Sequence, residues 1–364
     1  MSAPRLEIHL DRIHHNARTL VQRLDERGIS VTGVTKATLG SPEVARELIA
    51  AGVTAIGESR IENIEALRAA GLDGPMPLIR SPMLSQVDRV VAAAAASLNT
   101  ELDIITALSE SARRQDRTHG VVLMVELGDL REGILPRDLA DAVHHTLRLP
   151  NLSLLGIGTN LACQSGVAPD ESNMSALSAL AESMESTFAL SFDIVSGGNS
   201  ANLDWVLGSS AIGRIDNLRL GESILLGREP LQRRPIDGLR LDAFALVGEV
   251  IEAKTKPTQP WGTIRQTAFG AGPDTSAEPT GDRGDACRVI VALGRQDVDP
   301  TGLTPPEGFE IIGASSDHLV LEVTGMLPAI GSELAFDLDY GALLRAMTSP
   351  FVSREFRTSD VRTR

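Results

Sequence analysis

Cysteine is scarce in this chain, and its two residues, Cys163 and Cys287, stand far apart in no metal-type spacing. That excludes a disulfide scaffold and reads as reduced thiols in a cytoplasmic protein. Basic charge is also short. Lys and Arg number 34 against 48 Asp and Glu, for a formal net charge of -14. The balance excludes a nucleic-acid groove or an anionic membrane surface as the working partner. It mildly favours cationic ligands, although acidity of this size also serves solubility. Long apolar runs are missing. The opening MSAPRLEIHLDRI is punctuated by charge, so it does not read as a signal peptide, and no later stretch is long enough to span a bilayer. Internal repeats and coiled-coil heptads are absent as well.

What remains is ordinary for a soluble globular protein: 42% hydrophobic and 23% charged residues over 364 positions. That length accommodates one large domain and a smaller one. Short apolar, β-rich runs recur at 31–35, 53–57, 76–80, 95–99, 120–126, 152–158, 192–196 and 217–220. Amphipathic stretches such as 42–51, 62–70, 101–115, 137–147 and 172–188 lie between them. Parallel strands buried on both faces read as continuous apolar runs, and these do. Eight strand-then-helix units predict a (β/α)8 TIM barrel over 11–230. Cap residues fit. Ser41-Pro42-Glu43 offers an N-cap, Thr100-Glu101 and Ser85 offer two more, and Gly52 and Gly71 follow helix-like runs as stops.

Beyond 230 the apolar runs at 244–253, 287–293, 309–313 and 318–324 are separated by Pro/Gly/Asp-rich loops without a long helical pattern. This predicts a C-terminal β-rich domain over 231–356, joined by an N-terminal strand within 1–10. The segment 271–285 reads as a polar loop and 357–364 as a frayed tail.

Functional residues of such barrels sit at the C-terminal ends of the strands. Lys36 ends the first run, with nothing else charged beside it in sequence. A lysine withdrawn from water holds its proton less tightly and can condense with an aldehyde; the competing reading is a lysine snorkelling out of the barrel mouth. After the seventh run, SGGNS at 196–200 offers glycines whose backbone N–H groups can approach an anion; the competing reading is a tight turn. An amine after the first strand and a phosphate cradle after the last two are what a phosphorylated aldehyde cofactor needs.

These residues resemble the fold-type-III pyridoxal-phosphate enzymes, the alanine racemase superfamily, and within it the ornithine/lysine racemase-like group. The matching stretches are GVTK (33–36), ESRIEN (58–63), LMVELGDLREGI (123–134), GIGTNLAC (156–163), SGGNS (196–200), LRLGESILLGRE (218–229), RQDVD (295–299), GASSDHL (313–319) and LDYGALLRAMTS (338–349). The resemblance implies a cofactor, pyridoxal 5′-phosphate, and racemisation of a free amino acid, ornithine or lysine, by proton removal and return at Cα. Lys36 then matches the lysine that bonds the cofactor, and Arg219 the arginine facing its ring nitrogen. Ser200, Gly221, Glu222 (by its backbone N–H) and Tyr340 match phosphate contacts. Arg131 matches the arginine that orients the substrate carboxylate. Asn160 stands where alanine racemases usually carry histidine.

Two departures matter. Gly40 replaces the tyrosine that alanine racemases carry four residues after the lysine, and 261–270 offers no tyrosine for the second base. His318 is the leading candidate for that base, ahead of Asp317, Ser316 and Asp297, with Ser316 and Asp317 also assigned to substrate. Asp129, Glu132, Asp297 and Asp317 are candidate partners for a substrate ammonium. A second base in the β-rich domain implies a homodimer with shared active sites. Two alternatives stand beside this reading. One is an aldolase or dehydratase on a β-hydroxy amino acid, with a metal near His318, Asp317 and Asp297. The other is a non-catalytic pyridoxal-phosphate homeostasis protein, which the GVTK and GES stretches also resemble but which does not need the β-rich domain.

Overall fold

The computed structural model describes residues 2–263, 265, 269 and 283–358. It divides into two compact units, Leu10–Leu241 and Met1–His9 with Asp242–Arg364. In chain order the elements are β1 (Arg5–His9), α1 (Leu10–Asp25), β2 (Ser30–Val34), α2 (Pro42–Ala50), β3 (Ala55–Gly57), α3 (Ile61–Ala69), β4 (Pro77–Leu78), α4 (Val87–Ala93) and β5 (Ala96–Asn99). There follow α5 (Leu102–Arg114), β6 (His119–Met124), α6 (Leu139–Leu147), β7 (Leu152–Gly158), α7 (Glu171–Phe188), β8 (Ile194–Ser196), α8 (Leu203–Gly208), β9 (Asn217–Leu220) and α9 (Glu222–Leu226). The rest are β10 (Phe244–Pro257), β11 (Asp285–Val291), β12 (Leu303–Thr304), β13 (Phe309–Ala314), β14 (Leu319–Val323), β15 (Glu333–Leu338), α10 (Tyr340–Thr348) and β16 (Ser353–Arg357).

Strands β2 to β9 form one parallel sheet in the order β3-β2-β9-β8-β7-β6-β5-β4. Its two ends meet. Glu58 bridges Leu78, the Ile79 N–H donates to the Glu58 carbonyl at 2.8 Å, and the Glu58 N–H donates to the Pro77 carbonyl at 3.1 Å. The barrel is therefore closed, and all eight expected runs supply its strands. Every residue of β6 is buried, which is why that strand reads as unbroken apolar sequence. Outside the sheet, Val121, Leu123 and Ile157 pack against Leu139, Val143, Met174 and Leu177 of α6 and α7. Inside it, Leu98, Val122 and Met124 form a separate small cluster. Each such fully buried side chain contributes about 1.5–3 kcal/mol. Gly156 permits a close strand approach: a Cβ there would lie 1.8 Å from the Ile194 carbonyl oxygen.

Local signals held in part. Ser41 caps α2 by accepting the Val44 N–H, and Gly52 and Gly71 follow α2 and α3 with φ of +102° and +76°. Thr100-Glu101 and Ser85 are not side-chain caps; Glu101 makes no cap hydrogen bond, and Ser85 lies within a 3-10 turn before α4. The barrel unit extends to Leu241 because 228–240 is tied back to α1. Asn16 accepts the Arg240 N–H at 2.7 Å and donates to the Arg240 and Ile224 carbonyls at 2.9 Å, and Arg23 donates to the Asp237 carbonyl at 2.7 Å.

In the other unit the sheet runs β12-β15-β10-β11-β14-β13, and β1 pairs with β10 and β16. A helix absent from the sequence expectation, α10, intervenes here. Its apolar stripe is a single buried face, Ala342, Leu343, Ala346 and Met347, started by an Asp339 cap on the Ala342 N–H. Of the expected polar loop, 271–282 lie outside the described residues, and Asp285 already opens β11; of the tail, 359–364 lie outside them. Among the described residues, no helix is long and apolar enough to cross a membrane.

His119, which opens β6, is 1% exposed, and burial lowers its pKa to about 4. The folded chain thus prefers the neutral ring. That preference stabilises fully above pH 6.5, the unfolded value, and is lost as pH falls through 4, at a cost of about 3 kcal/mol. Urea unfolding should show wild type losing about 2–3 kcal/mol more than His119→Gln between pH 7.5 and 4.5. Equal losses would reject the assignment.

Candidate active site

The C-terminal ends of the barrel strands bring the candidate residues together. Lys36 follows the buried Thr35 directly after β2 and opens a 3-10 turn, Lys36–Thr38. The turn is held by Thr38 Oγ1 donating to the Thr35 carbonyl at 3.0 Å and by the Gly40 N–H donating to the same oxygen at 3.2 Å. Leu39 and Gly40 are both left-handed, with φ of +53° and +62°. A Cβ on Gly40 would lie 2.7 Å from Asn63 Cβ, at the first turn of α3. This gives a physical account of glycine at that position: with this backbone, Asn63 occupies the space a side chain would need.

Arg219, on β9, is 7% exposed. Its guanidinium donates to Ser196 Oγ, to the Thr159 carbonyl at 2.7 Å and to Asn160 Oδ1 at 3.4 Å. Burial lowers its pKa to about 10; Cys163 and Glu132 oppose that shift and Arg131 adds to it. Arg219 therefore keeps its charge at neutral pH. Asn160 Oδ1 also accepts from Asn199 Nδ2 at 3.1 Å, while Asn160 Nδ2 is buried without a protein partner.

Ser200 is buried, and its Oγ lies 2.9 Å from Ser223 Oγ and accepts the Ser223 N–H at 3.2 Å. Gly221 precedes α9, and a Cβ there would meet Val34 Cβ at 3.2 Å, so the cradle abuts the strand that carries Lys36. Glu222 turns its carboxylate to Arg233, which leaves its backbone N–H as its candidate contribution. A phosphorylated aldehyde fits this end of the barrel. Lys36 supplies the amine, Ser200, Ser223 and the 221–223 backbone supply anion contacts, Arg219 supplies a buried cation, and Asn160 supplies an orphaned donor. Ser196 and Asn199 lie within the SGGNS stretch and Thr159 within GIGTNLAC, both singled out in the sequence, whereas Ser223 was not expected. Ser223 lies within the GES stretch after the last barrel strand, and that was the available signal.

The acids resolve differently from expectation. Asp129 is fully buried and accepts the N–H groups of Cys163, Gln164, Ser165 and Val167 at 3.1, 2.9, 3.1 and 3.4 Å. Burial pushes its carboxyl up, yet these four donors hold it below the ordinary range. It pins one loop to another and is withdrawn as an ammonium partner. Glu132 pairs with Arg131; burial works against that guanidinium's charge, and the carboxylate raises it above its ordinary range.

In the β-rich unit, Asp297, Ser316, Asp317 and His318 are brought into one corner. Gln296 N–H donates to the Ser316 carbonyl at 2.9 Å, Asp297 accepts the Gly294 N–H at 2.9 Å, and His318 Nδ1 lies 2.8 Å from Asp317 Oδ1. Burial, then the nearby Asp317 charge, raises the Asp297 carboxyl. Among the described residues no three or more His, Cys, Asp or Glu side chains are grouped to hold a metal ion, so His318, Asp317 and Asp297 do not form the centre the aldolase alternative invokes. Tyr340 opens α10 in this unit. Within 261–270, residues 264, 266–268 and 270 lie outside the described residues.

A closed (β/α)8 barrel with a buried arginine, a lysine and a serine cradle at one mouth, followed by an antiparallel β-rich unit, defines the alanine racemase fold class. The chain belongs to the alanine racemase family: the family model "Alanine racemase, N-terminal domain" matches residues 8–229. It is similar along its length to two relatives. A lysine racemase of Thermotoga maritima is 38% identical over 99% of this chain and 100% of that protein. An ornithine racemase of Acetoanaerobium sticklandii is 37% identical over 97% of this chain and 99% of that one. The crystal structure of alanine racemase from Streptomyces lavendulae superposes with a TM-score of 0.74 at 18% identity, covering 98% of each chain, which speaks to the fold alone.

Proposed function

We propose that this chain racemises a free amino acid, ornithine or lysine, with pyridoxal 5′-phosphate held by Lys36. The observation that carries the proposal is the shared barrel mouth of Lys36, Arg219 and the Ser200–Ser223 pair. Lys36 is the one lysine of the barrel; Lys254 and Lys256 lie on β10. The likeness to the lysine and ornithine racemases supports the substrate class.

When bound, the cofactor supplies an electrophilic carbon and a conjugated ring that make the substrate's Cα acidic. Lys36 would hold it through Nζ, and the same amine would take or return the proton at the substrate's Cα on one face. His318, the proposed second base, serves the other face. Because it lies in the β-rich unit, the reading includes a symmetric homodimer whose copies complete each other's sites. Arg219 would set a fixed positive charge beside the cofactor's ring without donating its proton to it, since a guanidinium gives up its proton reluctantly. Asn160, Ser200, Gly221, Glu222 and Tyr340 bind the cofactor. Arg131, with Ser316 and Asp317, orients the substrate. We place the protein in the cytoplasm, where its two free thiols stay reduced.

The test is a turnover comparison of ornithine, lysine, alanine and serine by chiral chromatography. Ornithine or lysine should exceed alanine by about tenfold or more in kcat/KM. Alanine as the best substrate would reject the basic-substrate assignment.

A further inference from the structure

Glu58 is a buried carboxylate at the same mouth that the proposed mechanism does not use. It follows β3 and is 0% exposed. Strands β2 and β3 pair in parallel with Val34 opposite Gly57, so Thr35 and Glu58 are the next residues on adjacent strands. Thr35 Oγ1 donates a short hydrogen bond to Glu58 Oε1, and Asn63 Nδ2 donates to Oε2 at 2.9 Å. Both oxygens are thereby oriented, one by the residue before Lys36. Asn63 reaches this position because Gly40, on the Lys36 turn, leaves room for it. The Lys36 charge acts on this carboxyl from the end of the adjacent strand, and Thr35, Asn63 and the Ser59 N–H, which also reach it, are neutral.

A solvated surface acid would not be built this way. Placing a carboxylate out of water is costly, and a role that needs the charge explains its retention. Burial pushes the Glu58 carboxyl up to about 6, while the Thr35 and Asn63 hydrogen bonds and the Lys36 charge pull it down. At pH 7 and above it is mostly ionised.

We propose that Glu58 is a positioning residue for Lys36: with Thr35 and Asn63 it fixes the turn and supplies the countercharge for the lysine when that amine carries a proton. The inference rests on the reading of Lys36 as the reactive amine. Its consequence is that a proton arriving at Lys36 is stabilised by a partner already in place, without rearrangement of the mouth.

The test measures the full-length chain after bound cofactor has been stripped with hydroxylamine and dialysed away, so that none occupies the Lys36 amine. Reductive methylation with formaldehyde and borohydride is followed across pH, with Lys36 read by peptide mass. In Glu58→Gln the countercharge is gone and the shape kept, so the pH of half-maximal labelling at Lys36 should fall by about one unit relative to wild type. Thr35→Val removes one hydrogen bond to the ionised carboxyl and should move the midpoint the same way by a smaller amount. Lys254, exposed, and Lys256, half-buried, both lie on β10 and pair with Glu252; they are internal controls and should not move. An unmoved Lys36 midpoint in folded Glu58→Gln overturns the proposal; if that variant does not fold, an unmoved midpoint in Thr35→Val overturns it. A colourless wild type after cofactor is supplied would end the cofactor reading and leave the labelling result standing.

Discussion

Lys36→Ala is expected to abolish racemisation, with a loss of at least about 10⁴-fold, and to remove the visible absorbance of the purified protein. Both effects share a cause. On the proposed roles the amine that anchors the cofactor would also move the Cα proton, so one substitution would remove a covalent tether and a general acid–base. Each tenfold loss corresponds to about 1.4 kcal/mol of barrier. No neighbouring lysine can take over, because the barrel holds no other. Folding should survive: Lys36 is half-buried at the rim, and the turn it opens is held by Thr35, Thr38 and Gly40 through groups the substitution leaves intact. The check is a stopped-time assay of each enantiomer alongside an absorbance spectrum. Retained colour with retained turnover would contradict the assignment.

Arg219→Gln should lower kcat by about 100-fold at saturating cofactor. The argument is electrostatic. The arginine is buried, still charged at neutral pH, and hydrogen-bonded to Ser196, Thr159 and Asn160, so its head is held in one orientation. Glutamine keeps a donor but not the charge. Removing a preorganised charge at the point where electron density changes costs about 10²–10³-fold in other sites of this kind. The fold should tolerate the change, because a neutral group in that place is cheaper to bury than a guanidinium without an ion-paired carboxylate. Side reactions per turnover should change as well if, as proposed, Arg219 tunes the ring's demand for electrons. A kcat within a few-fold of wild type would show that Arg219 supports the barrel wall and does not act on the cofactor.

Much of this was legible before any coordinates. The eight barrel strands could be read because parallel strands buried on both faces leave unbroken apolar runs, as in VVLM of β6. The mouth could be read because barrels place chemistry after their strands, which drew attention to Lys36, Ser200 and Arg219. What stayed hidden acts through contacts between loops distant in sequence. Asp129 reads in sequence as a candidate ammonium partner; only the fold shows four backbone N–H groups converging on it from 163–167. Ser223 works through hydrogen bonds to Ser200 on a different loop, for which sequence carries no period. The missed helix α10 is short and sits between strands, so its stripe of four buried residues did not outweigh the surrounding β pattern. Gly40 was visible as a departure, but its reason, the packing of Asn63, required the structure.

The most direct test is borohydride reduction of the protein after pyridoxal phosphate is supplied, followed by peptide mass mapping. The cofactor's mass should appear on the peptide containing Lys36 and be absent from the one containing Lys254 and Lys256. An unmodified Lys36 peptide, or the label fixed only on β10, would contradict the assignment of this lysine and the chemistry built on it.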